Sequence, residues 1–299
     1  MTEKQQRRDL DGRTTLTWSQ LPEIWRRRDN IFLLRGYRPL NESYTQCLAS
    51  LFYIHNETVN IWTHLLGIPL FLLSGLYLWW TVSTQYSSSS HHDVVVFGCF
   101  FAGVTICLSL STAFHTFSAH SKDAHDHFLL LDFIGILALI AGSWIPGIYY
   151  GFYCHSTASQ IYWSMICTIT TICAVVIAIP HCRTPAWKPF RTSMFITLGL
   201  SGIIPMTYAA NTFGIAQANL QMGWKYIILE GTCYLCGAVI YACRIPERWY
   251  PGKFDIVGAS HQWFHVFVLM GAGAHLMGIV RAFRYNHHPF TRMCEHFWA

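Results

Sequence analysis

Seven long apolar segments constrain the fold of this chain more than any other feature of its sequence. Each is 18 to 24 residues long, and they are residues 61–82, 94–117, 128–150, 161–179, 193–210, 226–243 and 261–280. The hydrocarbon core of a bilayer requires about 20 helical residues to cross. Only helices and closed barrels satisfy every backbone polar group there, and the alternating segments of about ten residues typical of a barrel are missing. We therefore predict an all-α membrane protein with seven transmembrane helices.

The low content of charged residues agrees with this prediction. Asp, Glu, Lys and Arg make up 12% of the 299 residues, whereas soluble domains contain about 25%. This composition argues against a disordered chain and against a soluble enzyme. The formal charge of +5 is not gathered into a basic patch on a soluble domain, so we expect no nucleic-acid partner. We expect a multi-pass protein of the plasma membrane or the endoplasmic reticulum, and the pattern leaves its oligomeric state open.

The distribution of Lys and Arg predicts the orientation. Sixteen of the 20 basic residues lie in the first sixty residues or in the loops after the second, fourth and sixth segments. By the positive-inside rule, the N-terminus is cytosolic and the C-terminus lies on the far side. This orientation is opposite to that of a G-protein-coupled receptor.

The chain then divides into three parts. Residues 1–60 form a cytosolic N-terminal region, residues 61–280 a seven-helix transmembrane domain, and residues 281–299 an extracytosolic tail. Within the first part, residues 16–40 mix aromatic and aliphatic side chains with an Arg cluster. This stretch fits either an amphipathic helix on the anionic inner leaflet or a solvated basic loop.

Ionisable side chains inside a membrane are costly, so each is a candidate functional group. In the predicted orientation, four segments bring such groups to one layer near the cytosolic face: His64, His115, Asp132, His261 and His265. Glu230 and His275 lie toward the other leaflet. The sequence therefore predicts one polar layer at the cytosolic end of the bundle.

Residue spacing within that layer indicates a metal site. His261 and His265 are four residues apart, which places two imidazoles on one face of a helix where they can bind one metal ion. Addition of His115 gives three imidazoles and one open position, the composition of a catalytic zinc centre. Asp132 would hold the metal-bound water or accept a hydrogen bond from a ligating histidine.

Less specific interpretations also fit some of these residues. A transmembrane histidine commonly forms a hydrogen bond between helices, and a pair four residues apart arises readily in a chain with 16 histidines. The meeting of three histidines and an acid at one depth favours the metal site. Zinc is preferred over nickel or iron, because it tolerates an open tetrahedral site without thiolate ligands. Glu57, Asn60 and His64 share a further helix face that would cap the layer by hydrogen bonds. The eleven cysteines are scattered, and we expect reduced, buried thiols.

Three motifs, in order, resemble the progestin and adipoQ receptor family, which includes adiponectin receptors, fungal zinc-homeostasis membrane proteins and bacterial haemolysin-III-like proteins. They are ETVNIWTH at residues 57–64, STAFH at 111–115 followed by LDFIG at 131–135, and SHQWFH at 260–265. The similarity runs from about residue 25 to residue 280. It implies seven helices with the N-terminus inside and a Zn²⁺ ion held by His115, His261 and His265. It also implies that Asp132 contacts the zinc through water, with Ser111 beside it.

The same resemblance implies a function. Ceramidase activity is attributed to several family members, so Asp132 and Ser111 would be the catalytic residues in zinc-dependent hydrolysis of a ceramide-like lipid. Other members are linked to lipid metabolism and zinc homeostasis, or respond to extracellular protein ligands. We therefore expect a receptor of the adiponectin-receptor type with ceramidase-like activity. The alternative is a ligand-operated receptor with a purely structural zinc. Zinc transport is disfavoured, because one site near one face does not form a conduit.

Overall fold

The computed structural model describes residues 14–26 and 30–288, and its regular structure there is helical apart from one isolated bridge between Leu16 and Tyr37. Within these described residues, seven helical segments are long and apolar enough to cross a membrane. We call them spans 1 to 7, and they are Thr58–Gln85, His91–Phe117, Lys122–Gly151, Ser156–Ala178, Pro185–Phe213, Trp224–Cys243 and Ser260–Asn286. The predicted all-α fold with seven transmembrane helices is confirmed. Most spans are a few residues longer than the apolar segments, because the helices continue into polar turns at their ends.

Span 5 is interrupted near its middle. It consists of the short helix Pro185–Trp187, the helix Lys188–Leu200 and the helix Ile203–Phe213. The break falls at Gly202, where an added Cβ would lie 1.6 Å from an atom of the Trp144 ring. Only glycine allows span 3 to approach so closely at this point.

Spans 2 and 3 form the most extensive helix contact of the bundle. Small residues make this contact possible: a Cβ at Gly103 would lie 2.5 Å from the carbonyl oxygen of Ala138, and a Cβ at Gly142 would lie 2.7 Å from that of Cys99. Close backbone packing between small residues is a common way for helices to associate in lipid. The contact fixes the helix that carries His115 against the helix that carries Asp132.

The segment that precedes span 1 folds into a cap over one end of the bundle. Its described residues contain a 3₁₀ turn at Trp18–Gln20 and the short helices Glu23–Arg26 and Tyr44–Ala49. The bridge between Leu16 and Tyr37 closes a small apolar cluster that includes Ala259 from the loop before span 7. The described part of residues 16–40 is therefore neither one amphipathic helix nor a solvated loop. Both predictions were wrong here, because contacts with distant loop residues decide the conformation. We call this segment the N-terminal cap and the covered end of the bundle the capped end.

The predicted division at residues 60 and 280 stays a prediction, and the helix ends lie close to it. Span 1 begins at Thr58. Span 7 continues to Asn286, so the first residues of the predicted tail are helical, while residues 289–299 lie outside the described part of the chain.

The expectation that all cysteines are reduced was wrong for Cys154, which forms a disulfide. It lies in the turn after span 3, and a partner brought close by tertiary structure cannot be recognised from spacing along the chain. The other nine cysteines in the described part of the chain are free.

At the end of the bundle opposite the cap, Asp93 joins spans 2, 3 and 7. Its buried carboxylate accepts hydrogen bonds from the Tyr150 hydroxyl at 2.8 Å and from the backbone N–H of Ser90 at 2.8 Å, and it lies 3.0 Å from Nε2 of His287. These contacts give the Asp93 carboxylate hydrogen-bond partners in a region where an unpaired charge would be strongly unfavourable.

Replacement of that carboxylate is expected to destabilise the bundle. Asp93→Ala leaves Tyr150 and His287 without their common partner, and a broken buried network of this kind lowers the free energy of unfolding by about 3 kcal/mol or more. The thermal unfolding midpoint of the purified protein in detergent measures the effect. The control is Val94→Ala at the exposed neighbouring position. Equal midpoints for the two variants would contradict a stabilising role for Asp93.

Candidate metal centre

Three imidazoles meet at the capped end, where span 2 ends and span 7 begins. His115 lies in the last turn of span 2, and His261 and His265 lie in the first two turns of span 7. The ring nitrogens that they offer all lie within 4.8 Å of one another. His115 and His265 are each 2% exposed. The predicted histidine cluster is therefore present, and it could hold a metal ion.

Glu57 fixes the orientation of His115. Its Oε2 atom lies 2.7 Å from Nδ1 of His115 and also accepts a hydrogen bond from Nδ2 of Asn60 at 2.6 Å. Burial opposes ionisation of Glu57, but the adjacent His115 ring and the Asn60 amide, which both donate hydrogen bonds to the carboxylate, hold the pKa of Glu57 well below its usual range. A carboxylate beside Nδ1 places the imidazole proton on that nitrogen, so Nε2 presents its lone pair to the cluster.

His265 is oriented in the same way by a backbone carbonyl. Its Nδ1 lies 3.1 Å from the carbonyl oxygen of Asn60, so Nδ1 donates and Nε2 is left as an electron-pair donor. The His64 ring stacks on His265, with ring centroids 3.8 Å apart and planes at 12°. The Glu57 side chain thus makes a hydrogen bond to the cluster as the shared helix face predicted, whereas Asn60 contacts the cluster through its backbone carbonyl and directs its side-chain amide to Glu57. His64 contributes by stacking instead, because neither of its ring nitrogens has a hydrogen-bond partner in the described part of the chain.

His261 is the third possible ligand, and its distance from His115 shows whether a metal ion fits between them. Its Nε2 lies 3.2 Å from Nε2 of His115, and its Nδ1 is buried without a hydrogen bond to any described residue. Two zinc–nitrogen bonds in tetrahedral geometry place their nitrogens about 3.3 Å apart. Three imidazoles, two of them with the proton fixed on the outer nitrogen, therefore match the donor set that zinc accepts.

Asp132 and Ser111 lie beside the cluster but outside the group of possible ligands. Both line the cavity onto which the three histidines open. The Ser111 hydroxyl interacts with the Asp132 carboxyl, and the His115 ring is close enough to act on that carboxyl electrostatically. Their assignment as catalytic residues stays a prediction.

The cavity joins the histidine cluster to an apolar chamber. Its volume is about 1130 Å³, and its apolar walls include Phe195, Ile203 and Leu235. Lys188 also lines it, with Nζ 3.9 Å from the centroid of the Tyr241 ring. A chamber of this size and lining suits a long apolar ligand with one polar end.

Two further residues position the cluster, and sequence patterns do not reveal their roles. The first is Arg38 in the N-terminal cap, which is buried and donates hydrogen bonds to the backbone carbonyls of His115 and Thr116 and to the hydroxyl of Ser50. The last carbonyls of a helix lack partners within it, and a cation there also interacts favourably with the helix dipole. In the sequence Arg38 counts only as one of many basic residues.

The second is Glu247, in the loop before span 7. This fully buried carboxylate accepts hydrogen bonds from the backbone N–H of Ser260 at 2.8 Å, from the Ser260 hydroxyl and from Nδ2 of Asn30 at 2.8 Å. Glu247 therefore provides an acceptor for a backbone N–H in the first turn of span 7, at the residue before His261. The family resemblance, which runs from about residue 25 to residue 280, includes this loop but assigns Glu247 no role.

Loss of the Arg38 guanidinium is expected to loosen the cluster. Arg38→Met removes hydrogen bonds that hold the end of span 2. Supporting contacts of this kind change metal affinity by about 10- to 100-fold, and we expect a loss of that size, measured by competition with a chelator of known affinity. Arg35→Met is the matched control, because the Arg35 side chain is 73% exposed and its ion pair with Asp255 contributes little. Equal metal affinity in both variants would show that Arg38 does not position His115.

Comparisons with known proteins bear on this arrangement. The model of the family described as haemolysin-III related matches residues 52–276. The adiponectin receptor protein of Drosophila melanogaster is 43% identical over 254 residues, which cover 84% of this chain and 56% of that protein. The progestin and adipoQ receptor-like protein 1 of Caenorhabditis elegans is 39% identical over 265 residues, or 88% of this chain and 60% of that protein. The ADIPOR-like receptor IZH2 of Saccharomyces cerevisiae is 34% identical over 275 residues, or 92% and 86%. The chain thus spans little more than half the length of the first two relatives.

Proposed function

This chain belongs to the haemolysin-III-related family of adiponectin-receptor-like seven-helix membrane proteins, and from that premise we propose that it is a receptor-type protein whose zinc centre hydrolyses the amide bond of a ceramide-like lipid. One observation carries the proposal. The cluster of His115, His261 and His265 opens onto a large apolar cavity whose wall also holds Asp132 and Ser111. A purely structural site would have no need of such a chamber.

We assign the metal as zinc from the donor set. Three imidazoles without a thiolate, with one position left open, are typical of catalytic zinc sites. Bound zinc would supply a Lewis acid and lower the pKa of a coordinated water to about 7. Glu57 and the Asn60 carbonyl keep the Nε2 atoms of His115 and His265 directed at the place where the metal ion would bind.

The chain's own carboxylate would move the proton. Asp132 accepts a proton from the attacking water as oxygen adds to the amide carbon, and it returns that proton to the nitrogen as the carbon–nitrogen bond breaks. The products are a fatty acid and a sphingoid base. The Ser111 hydroxyl interacts with the Asp132 carboxyl and would keep it oriented toward the water. The apolar chamber would hold a hydrocarbon chain and exclude bulk solvent from the site.

A ligand-operated receptor with a purely structural zinc is the second candidate. The observation that favours it is that all three imidazoles come from two helices, spans 2 and 7, so one ion would clamp those helices together. In both cases we propose that the N-terminus is cytosolic, that the protein lies in the plasma membrane or the endoplasmic reticulum, and that an extracellular protein ligand acts at the opposite face. A role in lipid and zinc homeostasis would follow from either activity.

Metal removal distinguishes the two candidates. The purified protein in detergent is assayed for zinc by mass spectrometry and for fatty-acid release from ceramide, before and after chelation and after zinc is restored. We expect one zinc per chain, loss of turnover with the metal and recovery on its return. Stoichiometric zinc without turnover in any preparation would refute the hydrolase proposal and leave the structural zinc.

A further inference from the structure

A further buried pair of ionisable residues lies deeper in the bundle, away from the metal centre. Nδ1 of His275 in span 7 lies 2.7 Å from Oε2 of Glu230 in span 6. His275 is 4% exposed and Glu230 is 9% exposed. Neither residue takes part in the proposed hydrolysis, so the pair needs its own explanation.

Glu230 lines the same cavity as the metal centre. Along span 6 the wall is formed by residues at helical spacing, among them Glu230, Tyr234, Ala238 and Tyr241. At the metal end, the Tyr241 ring centroid is 4.8 Å from that of His261. Eleven residues of helix separate Tyr241 from Glu230, and they span about 16 Å. The carboxylate therefore lies about half a bilayer core away from the histidine cluster, with apolar walls between them.

The pair has unused hydrogen-bonding capacity. In the described part of the chain, His275 is the one hydrogen-bond partner of the Glu230 carboxyl and contacts a single oxygen. Among the described residues, the Tyr234 hydroxyl, one turn away in the cavity wall, is buried without a hydrogen-bond partner. Nε2 of His275, outside that wall, also has no partner there. A pair that served only to join two helices would be expected to satisfy its buried polar atoms, since each one left unpaired is unfavourable.

The chemistry of the pair limits the ligand. An uncompensated charge at this depth is strongly disfavoured, so Glu230 and His275 each need the other as a partner. The second oxygen of Glu230 is a spare acceptor and the Tyr234 hydroxyl is a spare donor, and both residues line the cavity. Together they suit a hydroxyl group, which both donates and accepts, better than they suit an ion.

We propose that Glu230 and Tyr234 form a hydroxyl-recognition site for the distal half of a lipid chain whose polar end lies at the metal centre, and that His275 holds the Glu230 carboxyl in place from outside the cavity wall. The protein would thereby prefer chains that carry a hydroxyl far from the head group over unsubstituted chains of equal length. The placement of the polar end rests on the proposed function, whereas the recognition of the hydroxyl rests on the Glu230–His275 pair.

Equilibrium binding tests the site without requiring turnover. The probes are stearate, 12-hydroxystearate, with its hydroxyl in the distal half, and 2-hydroxystearate, with its hydroxyl beside the head group. Each is titrated against the purified full chain in detergent. We expect the wild-type protein to bind 12-hydroxystearate up to about tenfold more tightly than stearate, the gain of one well-placed hydrogen bond. 2-Hydroxystearate is expected to show no gain that depends on Glu230.

Variants then test which residues cause the preference for 12-hydroxystearate over stearate. Glu230→Leu is expected to abolish it while stearate binding is retained. Tyr234→Phe removes only a hydroxyl, so it tests the site even if Glu230→Leu fails to fold, and it is expected to reduce the preference. Val239→Thr, on the exposed face of the same helix, is the matched control and should keep it. The proposal would be overturned if the wild-type protein bound stearate and 12-hydroxystearate with equal affinity. It would also be overturned if the folded Glu230 and Tyr234 variants kept the wild-type preference. Intact preference without ceramide hydrolysis would refute the proposed function alone.

Discussion

Replacement of His265 by alanine is expected to abolish stoichiometric zinc binding. The residue is buried, its outer nitrogen is already committed to the Asn60 carbonyl, and its inner nitrogen faces the cluster. Structural zinc sites contribute about 10–16 kcal/mol at neutral pH. If three ligands share that free energy evenly, loss of one weakens binding by at least about a hundredfold. Zinc per chain after dialysis against a metal buffer measures the effect.

The matched control for this variant is His181→Ala. His181 also lines the cavity, but it is exposed and does not belong to the group of possible ligands. We expect this control to keep one zinc per chain and a wild-type unfolding midpoint. His265→Ala should lose the increase in midpoint that zinc gives to the wild-type protein, since a ligand that binds only the folded state stabilises it. Full zinc occupancy in His265→Ala would remove this histidine from the metal centre.

Asp132→Asn is expected to retain zinc and to lose ceramide turnover. An amide cannot take up the proton that the mechanism assigns to the carboxylate, and a positioned general base contributes about 10²- to 10⁴-fold to a rate. We expect a decrease of that size in kcat. Zinc content should be unchanged, because Asp132 lies outside the group of possible ligands. Metal analysis and fatty-acid release measured on one preparation separate the two effects.

Asp126→Asn provides the control for charge. Asp126 lies on the same helix and borders the same cavity, where its carboxylate pairs with Lys122 at 3.1 Å. It should keep both zinc and turnover. Wild-type turnover in Asp132→Asn would assign the proton transfer to another group. Loss of zinc in that variant would instead make Asp132 part of the metal site.

The helical repeat explains why part of the candidate site can be predicted from sequence. His261 and His265 share a helix face whatever surrounds them, because residues four apart in an α-helix always do. His115 lies near the predicted cytosolic end of the second segment, and His261 and His265 lie near the predicted cytosolic end of the seventh. Once both segments are placed in a membrane, the three histidines are therefore at the same depth. The same periodicity groups Glu57 and Asn60 on one face, where the Asn60 amide donates to the Glu57 carboxylate that contacts His115.

Contacts between residues distant in sequence could not be predicted in this way. Arg38 reaches the carbonyl of His115, and Asn30 reaches Glu247, more than 200 positions further along the chain. The N-terminal cap depends on such contacts, which is why neither expectation for residues 16–40 held. The approach of the Trp144 ring to Gly202, beside the break in span 5, is likewise a contact between residues distant in sequence.

The sequence by itself determined the seven spans and the histidine pair of span 7. Both follow from local rules: apolar length sets what can cross a bilayer, and the helical repeat sets which side chains share a face. The sequence placed His115 at the same depth as that pair, but tertiary structure alone decided that its ring meets theirs. Tertiary structure also decided the proton positions fixed by Glu57 and Asn60 and the cavity that joins the cluster to Glu230. These features depend on how the helices pack against one another, and packing is set by close approaches such as that of Gly103 and Gly142, which no local pattern encodes.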